Sequence, residues 1–322
     1  MANTRDIQRR IKSVGNTKKI TKAMEMVAAA KMRRAIEAVL KTRTYANLSW
    51  TTILHLSRCA NSDSDGLHPL LSKRNNPKKI GIILISSNRG LCGGFNTTVI
   101  NKAHESVKKH QAEKKIDTDF ILIGKKGALA HKYFGYNIAA EFPKVDIISE
   151  IKEVYPISKF VIDDFLSGEY DKIMVAYTDY VNAAKQIPRI KQLLPVDISA
   201  EDEYLGVVGK DERVGLSKDF IKEKEKKYLS DDKFSYEYIF EPNPREVLDE
   251  MIPRLIEVQL FQALLESNAS EHSARMTAMH QATDAASDMV SELTLFYNKA
   301  RQASITSEIA EISAGANALA DN

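Results

Sequence analysis

The 322-residue sequence has few of the residues that break helices or cross-link chains. Its two cysteines, Cys59 and Cys92, are too few for a disulfide framework and fit a reducing compartment. Fourteen glycines and nine prolines exclude a collagenous or proline-rich architecture. No run of eighteen apolar residues occurs, so the sequence predicts no membrane-spanning helix. With 43% hydrophobic residues, the chain is expected to fold around a buried core.

The sequence also lacks the motifs of common catalytic and ligand-binding sites. The seven histidines show no metal-ligand spacing. The loop 87–96 has glycines between a predicted strand and a predicted helix, but Phe95-Asn96 replaces the Lys-Ser/Thr pair of a phosphate-binding loop. Cys92 has no paired histidine in its sequence context. We therefore predict no catalytic residue, no metal ligand and no cofactor, and we expect the loop to be a tight turn with positive φ.

Both chain ends predict very long helices. Residues 3–61 contain no proline and a single glycine, Gly15, which predicts a helix of roughly 80 Å. Residues 254–314 contain neither proline nor glycine. In this second segment, apolar or small residues alternate in steps of three and four, which indicates a coiled coil. The predicted stripes comprise Ile7, Ile11, Val14, Ile20, Met24 and Val27 at one end, and Met276, Met279, Thr283, Ala286, Val290, Leu293, Tyr297, Ala300 and Ser304 at the other.

The net charge of +3 is the sum of two strongly charged ends. Residues 1–43 carry twelve Lys or Arg and three acidic residues, a net charge of +9. Residues 246–322 carry four basic and twelve acidic residues, a net charge of −8. We expect the two helices to pair antiparallel into a shaft built from 1–60 and 246–322, with charge selecting the partner and the apolar seam holding it. Two independent surface helices are the alternative, although such lengths are about five times the globular average.

The middle of the chain predicts an α/β domain over residues 77–196. Strands are expected at 78–86, 119–124, 137–141 and 172–178, the first and last of them buried, and they are separated by helices at 95–115, 125–134 and 156–167. An edge strand is expected at 189–196, and a short extended piece at 236–240. The predicted fold class is therefore α/β, with a long antiparallel coiled coil and a Rossmann-like domain with a mainly parallel sheet. Residues 197–245 form a charged insertion and return segment, and the part up to 235 is expected to be solvated.

Four sequence runs together resemble the γ subunit of F-type ATP synthases. They are SVGNTKKITKAMEMVAA at 13–29, SSNRGLCGGFN at 86–96, SEHSARMTAMHQATD at 270–284 and YNKARQASITSEI at 297–309. They cover both ends and the middle of the chain in the order found in that family. Two positions depart from the family pattern, since Asn88 stands where Asp is usual and Ala285 where Asn is common.

The resemblance implies a non-catalytic central rotor shaft. Such a shaft couples ion-driven rotation of the membrane c ring to conformational cycling of the catalytic β subunits during ATP synthesis or hydrolysis. The implied partners are the α, β and ε subunits and the c ring, in a hetero-oligomer with one copy of this chain. Nucleic acid is not an expected partner, and membrane contact is expected only through the other subunits. The implied location is peripheral, on the cytoplasmic face of a bacterial inner membrane, with residues 1–43 as the first shaft helix and not a transit peptide.

The resemblance also assigns candidate contact residues. Arg301 and Gln302 are expected to hydrogen-bond β, and Met24 to lie on the β-facing surface of the shaft. Candidate partners of acidic β loops are Lys31, Arg33 and Arg34. The shaft tip, with Ile309, Ile312 and Leu319, is expected to turn in an apolar bearing. In the foot, Phe240 and Glu241 are expected to contact the c ring and ε.

Two other functions compete with the rotor shaft. One is an α/β enzyme with a nucleotide-binding loop and helical oligomerisation arms. The other is a coiled-coil adaptor unrelated to any motor. ATPase activity or nucleotide affinity of the isolated chain would favour the enzyme.

Overall fold

The computed structural model describes residues 4–60, 68–72, 74, 77–113, 116–145, 150–196, 241 and 244–320. The predicted insertion 197–235 and extended piece 236–240 lie outside these ranges. The helices and strands, in chain order, are α1 (Thr4–Ala60), β1 (Lys79–Ile85), α2 (Phe95–Glu113), β2 (Asp117–Ile123), α3 (Leu129–Phe134), β3 (Asn137–Phe142), α4 (Tyr155–Leu166), β4 (Lys172–Tyr180), β5 (Gln186–Leu194) and α5 (Pro244–Ala320), with short 3₁₀ turns at Lys125–Ala128 and Ile151–Glu153.

The five strands form one mainly parallel sheet in the order β3-β2-β1-β4-β5. Strands β1 to β4 run parallel, and β5 pairs antiparallel with β4. The predicted fold class is confirmed. Strand β5 begins at Gln186, earlier than predicted, because a turn closed by Asn182 and Lys185 brings it directly opposite Tyr180. The predicted helix 125–134 begins as a 3₁₀ turn and becomes α-helical only at Leu129.

Alternation along each strand divides the core of the α/β domain between the two faces of the sheet. On β1, Ile83 and Ile85 belong to a cluster with side chains of α4, α5 and α1. The intervening Ile82 and Leu84 belong to a second cluster, with side chains of α2 and α3. Helix α5 is buried on every side from Leu255 to Ser273, so it runs through the domain as an internal element.

The chain divides into two compact units, residues 1–28 with 275–322 and residues 29–274. Each unit contains one segment of α1 and one of α5. The bounds predicted above for the shaft, the α/β domain and the insertion remain predictions. No helix in the described part of the chain has an apolar stretch long enough to cross a membrane.

In the first unit, α1 and α5 run antiparallel in a register set by three polar contacts. The hydroxyls of Thr21 and Thr283 lie 2.8 Å apart. Lys18 Nζ donates to Ser287 Oγ at 2.9 Å, and His280 Nδ1 lies 3.4 Å from Glu25 Oε1. The predicted antiparallel pairing is therefore confirmed.

The seam of α1 differs from the predicted stripe after Val14. Ile20 and Val27 are 60% and 56% exposed, so their assignment to the buried stripe is wrong. The residues that face α5 continue the seven-residue repeat of Ile7, Ile11 and Val14 through Lys18, Thr21, Glu25 and Ala28, all buried or half-buried. Apolar residues do not mark this stretch, because polar side chains at Lys18, Thr21 and Glu25 are satisfied by partners on α5.

The predicted stripe on α5 is confirmed from Met276 to Ala300, where every member is buried or half-buried. Ser304, its last predicted member, is exposed. The register explains this limit, because Thr21 opposite Thr283 places Thr4, the first described residue of α1, opposite Ala300.

Candidate functional site on the two long helices

Helix α5 continues well past the first described residue of α1. From Arg301 to Ala320 it extends over twenty residues, or about 30 Å at 1.5 Å per residue. Every described side chain of this extension is exposed. The large apolar members Ile305, Ile309 and Ile312 are 46%, 62% and 73% exposed. Such an apolar surface is typical of a region that contacts another protein.

Exposed apolar side chains also line the paired part of the first unit. Three lie on α1 and three on α5, each half or more exposed: Ile20, Met26, Val27, Met289, Leu295 and Phe296. Sequence reasoning did not identify this set as a candidate contact surface. The available signal was that the α1 members do not fit the seven-residue repeat begun by Ile7, Ile11 and Val14.

Most of the positive charge of α1 points away from α5. Of the eleven basic side chains of segment 1–43 that the structure describes, nine are exposed: Arg5, Arg9, Arg10, Lys12, Lys19, Lys22, Arg33, Arg34 and Lys41. The complementary charges of the two helices are therefore largely displayed on the surface of the pair. A basic surface beside apolar side chains suits a partner that is itself acidic and partly apolar.

The structure does not gather the predicted head contacts into one place. Met24 is half-buried and lies opposite the α5 segment near His280, whereas Arg301 and Gln302 are exposed at the start of the α5 extension. About twenty residues of α5, or about 30 Å, separate the two positions. Lys31, half-buried, and Arg33 and Arg34, both exposed, belong to the second unit.

The remaining predicted contacts are only partly described. Ile309 and Ile312 are exposed on the α5 extension. Leu319 lies in α5, but its side chain is outside the described set. Glu241 is exposed just before α5 begins, and Phe240 lies outside the described residues.

The carboxyl edge of the sheet, where α/β folds commonly bind ligands, is filled by α5. Lys144, which follows β3, places Nζ 2.7 Å from Oε2 of Glu271 on α5. The two side chains are only 2% and 6% exposed. A cavity of about 20 Å³ lies nearby, between residues such as Ile123, Ile157 and Leu264. It has room for one water molecule, whereas small-molecule pockets are typically about 300 Å³ or larger.

The glycine-bearing loop 87–96 uses its polar groups to close itself. The backbone N–H of Ser87 donates to Asn96 Oδ1 at 3.0 Å, and Asn96 Nδ2 donates to Ser87 Oγ at 2.8 Å. Gly93 has φ of 56°, so the predicted turn with positive φ is confirmed. Phe95 at the start of α2 lies under Lys144, with Nζ 5.6 Å from its ring centroid. The loop thus supports the edge that holds α5.

The amino edge of the sheet carries a network of charged and polar side chains. Lys79 Nζ lies 3.0 Å from Asp119 Oδ2 and also pairs with Glu169. Asp119 further accepts hydrogen bonds from Asn137 at 2.8 Å and from Tyr170 at 3.2 Å. The network joins the N-terminal ends of β1, β2 and β3. In the described ranges no group of His, Cys, Asp or Glu side chains could hold a metal ion.

Protonation equilibria follow from these contacts. Burial by itself raises the pKa of Asp119, but hydrogen bonds from Asn137 and Lys79 outweigh it and hold that pKa below its usual value of 3.8. Hydrogen bonds to Glu169 and then to Asp119 raise the pKa of Lys79. Both groups are therefore kept charged, which fits a structural clamp and not an acid–base pair that exchanges protons near neutral pH.

Comparison with known sequences gives consistent matches over the whole chain. A family model described as ATP synthase matches residues 3–319. The ATP synthase gamma chain of Pelotomaculum thermopropionicum is 42% identical over 321 residues, covering 99% of this chain and 100% of that one. Gamma chains of Legionella pneumophila and Haemophilus influenzae are 37% and 36% identical over 319 residues, with the same coverage.

Solved structures share the fold. A chain of the Euglena gracilis mitochondrial ATP synthase, from a structure of OSCP, F1 and c-ring, aligns over 98% of this chain and 94% of its own length. Its TM-score is 0.61 at 20% identity. A chain from the central stalk and c-ring of Tetrahymena thermophila mitochondrial ATP synthase aligns over 82% and 99%, with a TM-score of 0.56 at 21% identity. At these identities the likeness concerns the fold alone.

Proposed function

The chain belongs to the ATP synthase gamma-chain family, and from this premise we propose that it is the non-catalytic central rotor shaft of an F-type ATP synthase. It couples ion-driven rotation of a membrane c ring to conformational cycling of the catalytic β subunits. One copy assembles with α, β and ε subunits and the c ring. The bacterial relatives at 36–42% identity support a location on the cytoplasmic face of the inner membrane.

The observation that carries this proposal is the antiparallel pair with its exposed α5 extension. A shaft inside a ring of other subunits needs surface that is apolar enough to turn without directional bonds. Ile305, Ile309 and Ile312 supply such surface at the extension. A single α-helix is about 10–12 Å wide with its side chains, which is slender enough to enter a central opening.

Stiffness follows from the backbone. In the first unit, both α-helical segments are free of proline, so their backbone hydrogen bonding is continuous and resists twisting. Pairing along a seven-residue repeat supports both segments. The shaft performs no bond chemistry in this account. That the carboxyl edge of the sheet is filled by Glu271 and neighbouring residues of α5 supports a mechanical role over a nucleotide-binding one.

Torque is passed where side chains can make directional contacts. We assign hydrogen bonds with β to Arg301 and Gln302 and place Met24 on the β-facing surface of the shaft. We assign the contacts with acidic β loops to Lys31, Arg33 and Arg34. Exposure of Arg301, Gln302, Arg33 and Arg34 supports these assignments. Ile309, Ile312 and Leu319 turn in the bearing, while Phe240 and Glu241 contact the c ring and ε.

Affinity purification tests the proposal. A tagged full-length chain is purified from its source membranes in mild detergent, and the recovered subunits are identified by mass spectrometry. We expect α, β and ε subunits at one copy of this chain per complex, with ATPase activity in the complex and none in the isolated chain. Recovery without α and β, or turnover by the isolated chain, would overturn the proposal.

A further inference from the structure

Four polar side chains of α5 within six residues bind different parts of the α/β domain. Asn268 Nδ2 donates to the carbonyl of Val145 at 3.5 Å, and Ser270 Oγ donates to that of Thr178 at 3.1 Å. Glu271 accepts from Lys144 at 2.7 Å. Ser273 Oγ donates to the carbonyl of Ala183 at 2.9 Å and lies 3.3 Å from Gln186 Nε2. The partners thus come from the segment after β3, from β4, and from the β4–β5 connection and the start of β5.

These contacts surround the helix. An α-helix rotates by about 100° per residue. Relative to Asn268, the side chains of Ser270, Glu271 and Ser273 therefore leave the helix axis at about 200°, 300° and 140°. Polar bonds on all sides of one short segment fix the rotation of the helix about its own axis. They act in addition to close packing, because α5 is buried on every side here and the hydrophobic effect itself favours no single rotation.

The ion pair is the strongest directional member of the set. Lys144 is held at its own backbone, since its carbonyl accepts a hydrogen bond from Asn88 Nδ2 at 2.5 Å. Its ammonium lies over the Phe95 ring, so the loop 87–96 fixes its position as well. Charge-assisted hydrogen bonds are about twice as strong as neutral ones, and burial removes competing water.

We propose that Lys144 and Glu271 are positioning residues for rotational coupling. They fix the angle of α5 relative to the sheet, so that torque reaching the α/β domain turns α5 without slip. This inference rests on the proposed rotor function. A buried ion pair often adds little net stability, and in some proteins such pairs specify one geometry, which is the property a coupling joint requires.

The test separates geometry from stability by using paired substitutions. In Lys144→Met with Glu271→Leu, apolar side chains of similar volume replace the pair, a change that is often neutral for stability. In Lys144→Glu with Glu271→Lys, the pair is reversed. An exposed pair on α2, Lys102 and Glu105 at 3.6 Å, supplies the control as Lys102→Gln with Glu105→Gln. Each variant is purified as the whole complex and reconstituted into vesicles, and ions pumped per ATP hydrolysed are measured.

We expect ATP hydrolysis to persist in the apolar pair while ions pumped per ATP fall. A joint that slips turns without moving ions, so the fall in ions pumped per ATP should exceed the difference between the unaltered complex and the α2 control. The reversed pair should restore part of the lost ratio of ions pumped per ATP. The α2 control should give the same ratio as the unaltered complex.

A normal ratio of ions to ATP in the apolar pair would overturn the inference. Glu271→Gln provides a milder second variant in case the apolar pair does not assemble, and a normal ratio there would overturn it too. Failure of the proposed function gives a different result, because the unaltered chain would then yield no pumping complex at all.

Discussion

At the scale of single residues, polar side chains in buried places set the geometry of the long helices. Apolar side chains would bury more apolar surface at the positions of Lys18, Thr21 and Thr283. Polar residues at seam positions specify register at some cost in stability, because an offset pairing leaves them without partners. The shaft register and the angle of α5 in the α/β domain therefore depend on the same kind of interaction, a directional bond within an apolar contact.

Asp119 provides a residue-scale prediction about pH. Its folded-state pKa is below the usual 3.8, so ionised Asp119 stabilises the fold above about pH 4, and this contribution is lost as pH falls through the folded pKa. Asp119→Asn should lower the free energy of unfolding at pH 7 by about 1.5–3 kcal/mol, as for hydrogen bonds to charged groups. Urea unfolding at pH 7 and pH 3 should show a smaller loss on acidification in the variant than in the unaltered chain.

Asp117→Asn is the matched control, because Asp117 is exposed two residues earlier on β2. It should change the free energy of unfolding by less than about 0.5 kcal/mol at either pH. If Asp119→Asn and the unaltered chain had the same free energy of unfolding at both pH values, a stabilising role for the Lys79–Asp119 contact would be contradicted.

At the scale of elements, the α1 seam shows where apolar periodicity is a poor guide. Ile20 and Val27 are large and apolar, yet they face outward, while the small Ala28 is 2% exposed at the contact with α5. A small residue lets the two backbones approach closely, so side-chain size matters more at this position than hydrophobicity.

The element-scale prediction compares these positions. Ala28→Leu should lower the free energy of unfolding by about 1–3 kcal/mol, because extra methylenes in a packed contact force the helices apart. Ile20→Gln should change it by less than about 0.5 kcal/mol, since the side chain is mostly exposed. Urea unfolding of the full chain, followed by circular dichroism, measures both. The opposite ranking would restore the predicted stripe and refute the observed register.

Strands and most helices of the α/β domain could be predicted because each is a local pattern. β1 and β4 are short runs of buried β-branched residues, and α2 and α4 have helical spacing. The early start of β5 could not be predicted, because it depends on the turn at Asn182 and on pairing with β4. Likewise, nothing local marks Lys144 and Glu271, 127 residues apart in sequence, as partners.

At the scale of the whole molecule, opposite charges at the two chain ends serve more than mutual attraction. The ends pair through a mostly uncharged seam, and nine of the eleven described basic side chains of segment 1–43 remain exposed. Exposed charge acts on approaching partners over about a Debye length, near 8 Å at physiological salt. The exposed basic side chains of α1 are thus available to attract an acidic surface of a partner.

Truncation tests how the α5 extension contributes to the molecule. Ending the chain after Ser304 removes residues whose described side chains are all exposed. The free energy of unfolding of the isolated chain should stay within about 0.5 kcal/mol of the full-length value, because no buried contact is lost. In the complex, the rate of ATP hydrolysis per assembled particle should fall, because the bearing contacts proposed for Ile309 and Ile312 would be missing. Global destabilisation of the isolated chain would show that the extension packs within this molecule.

The sequence by itself determined the kinds of element, the pairing of the two ends and the family. Helix and strand patterns are local, and four motif runs carry the resemblance independently of any contact. Only the tertiary structure decided the register of the shaft, the outward direction of Ile20 and Val27, and the closure of the sheet edge by Glu271 and Lys144. These features depend on contacts between residues far apart in the chain, and such contacts are chosen by packing and by the need of buried polar groups for partners.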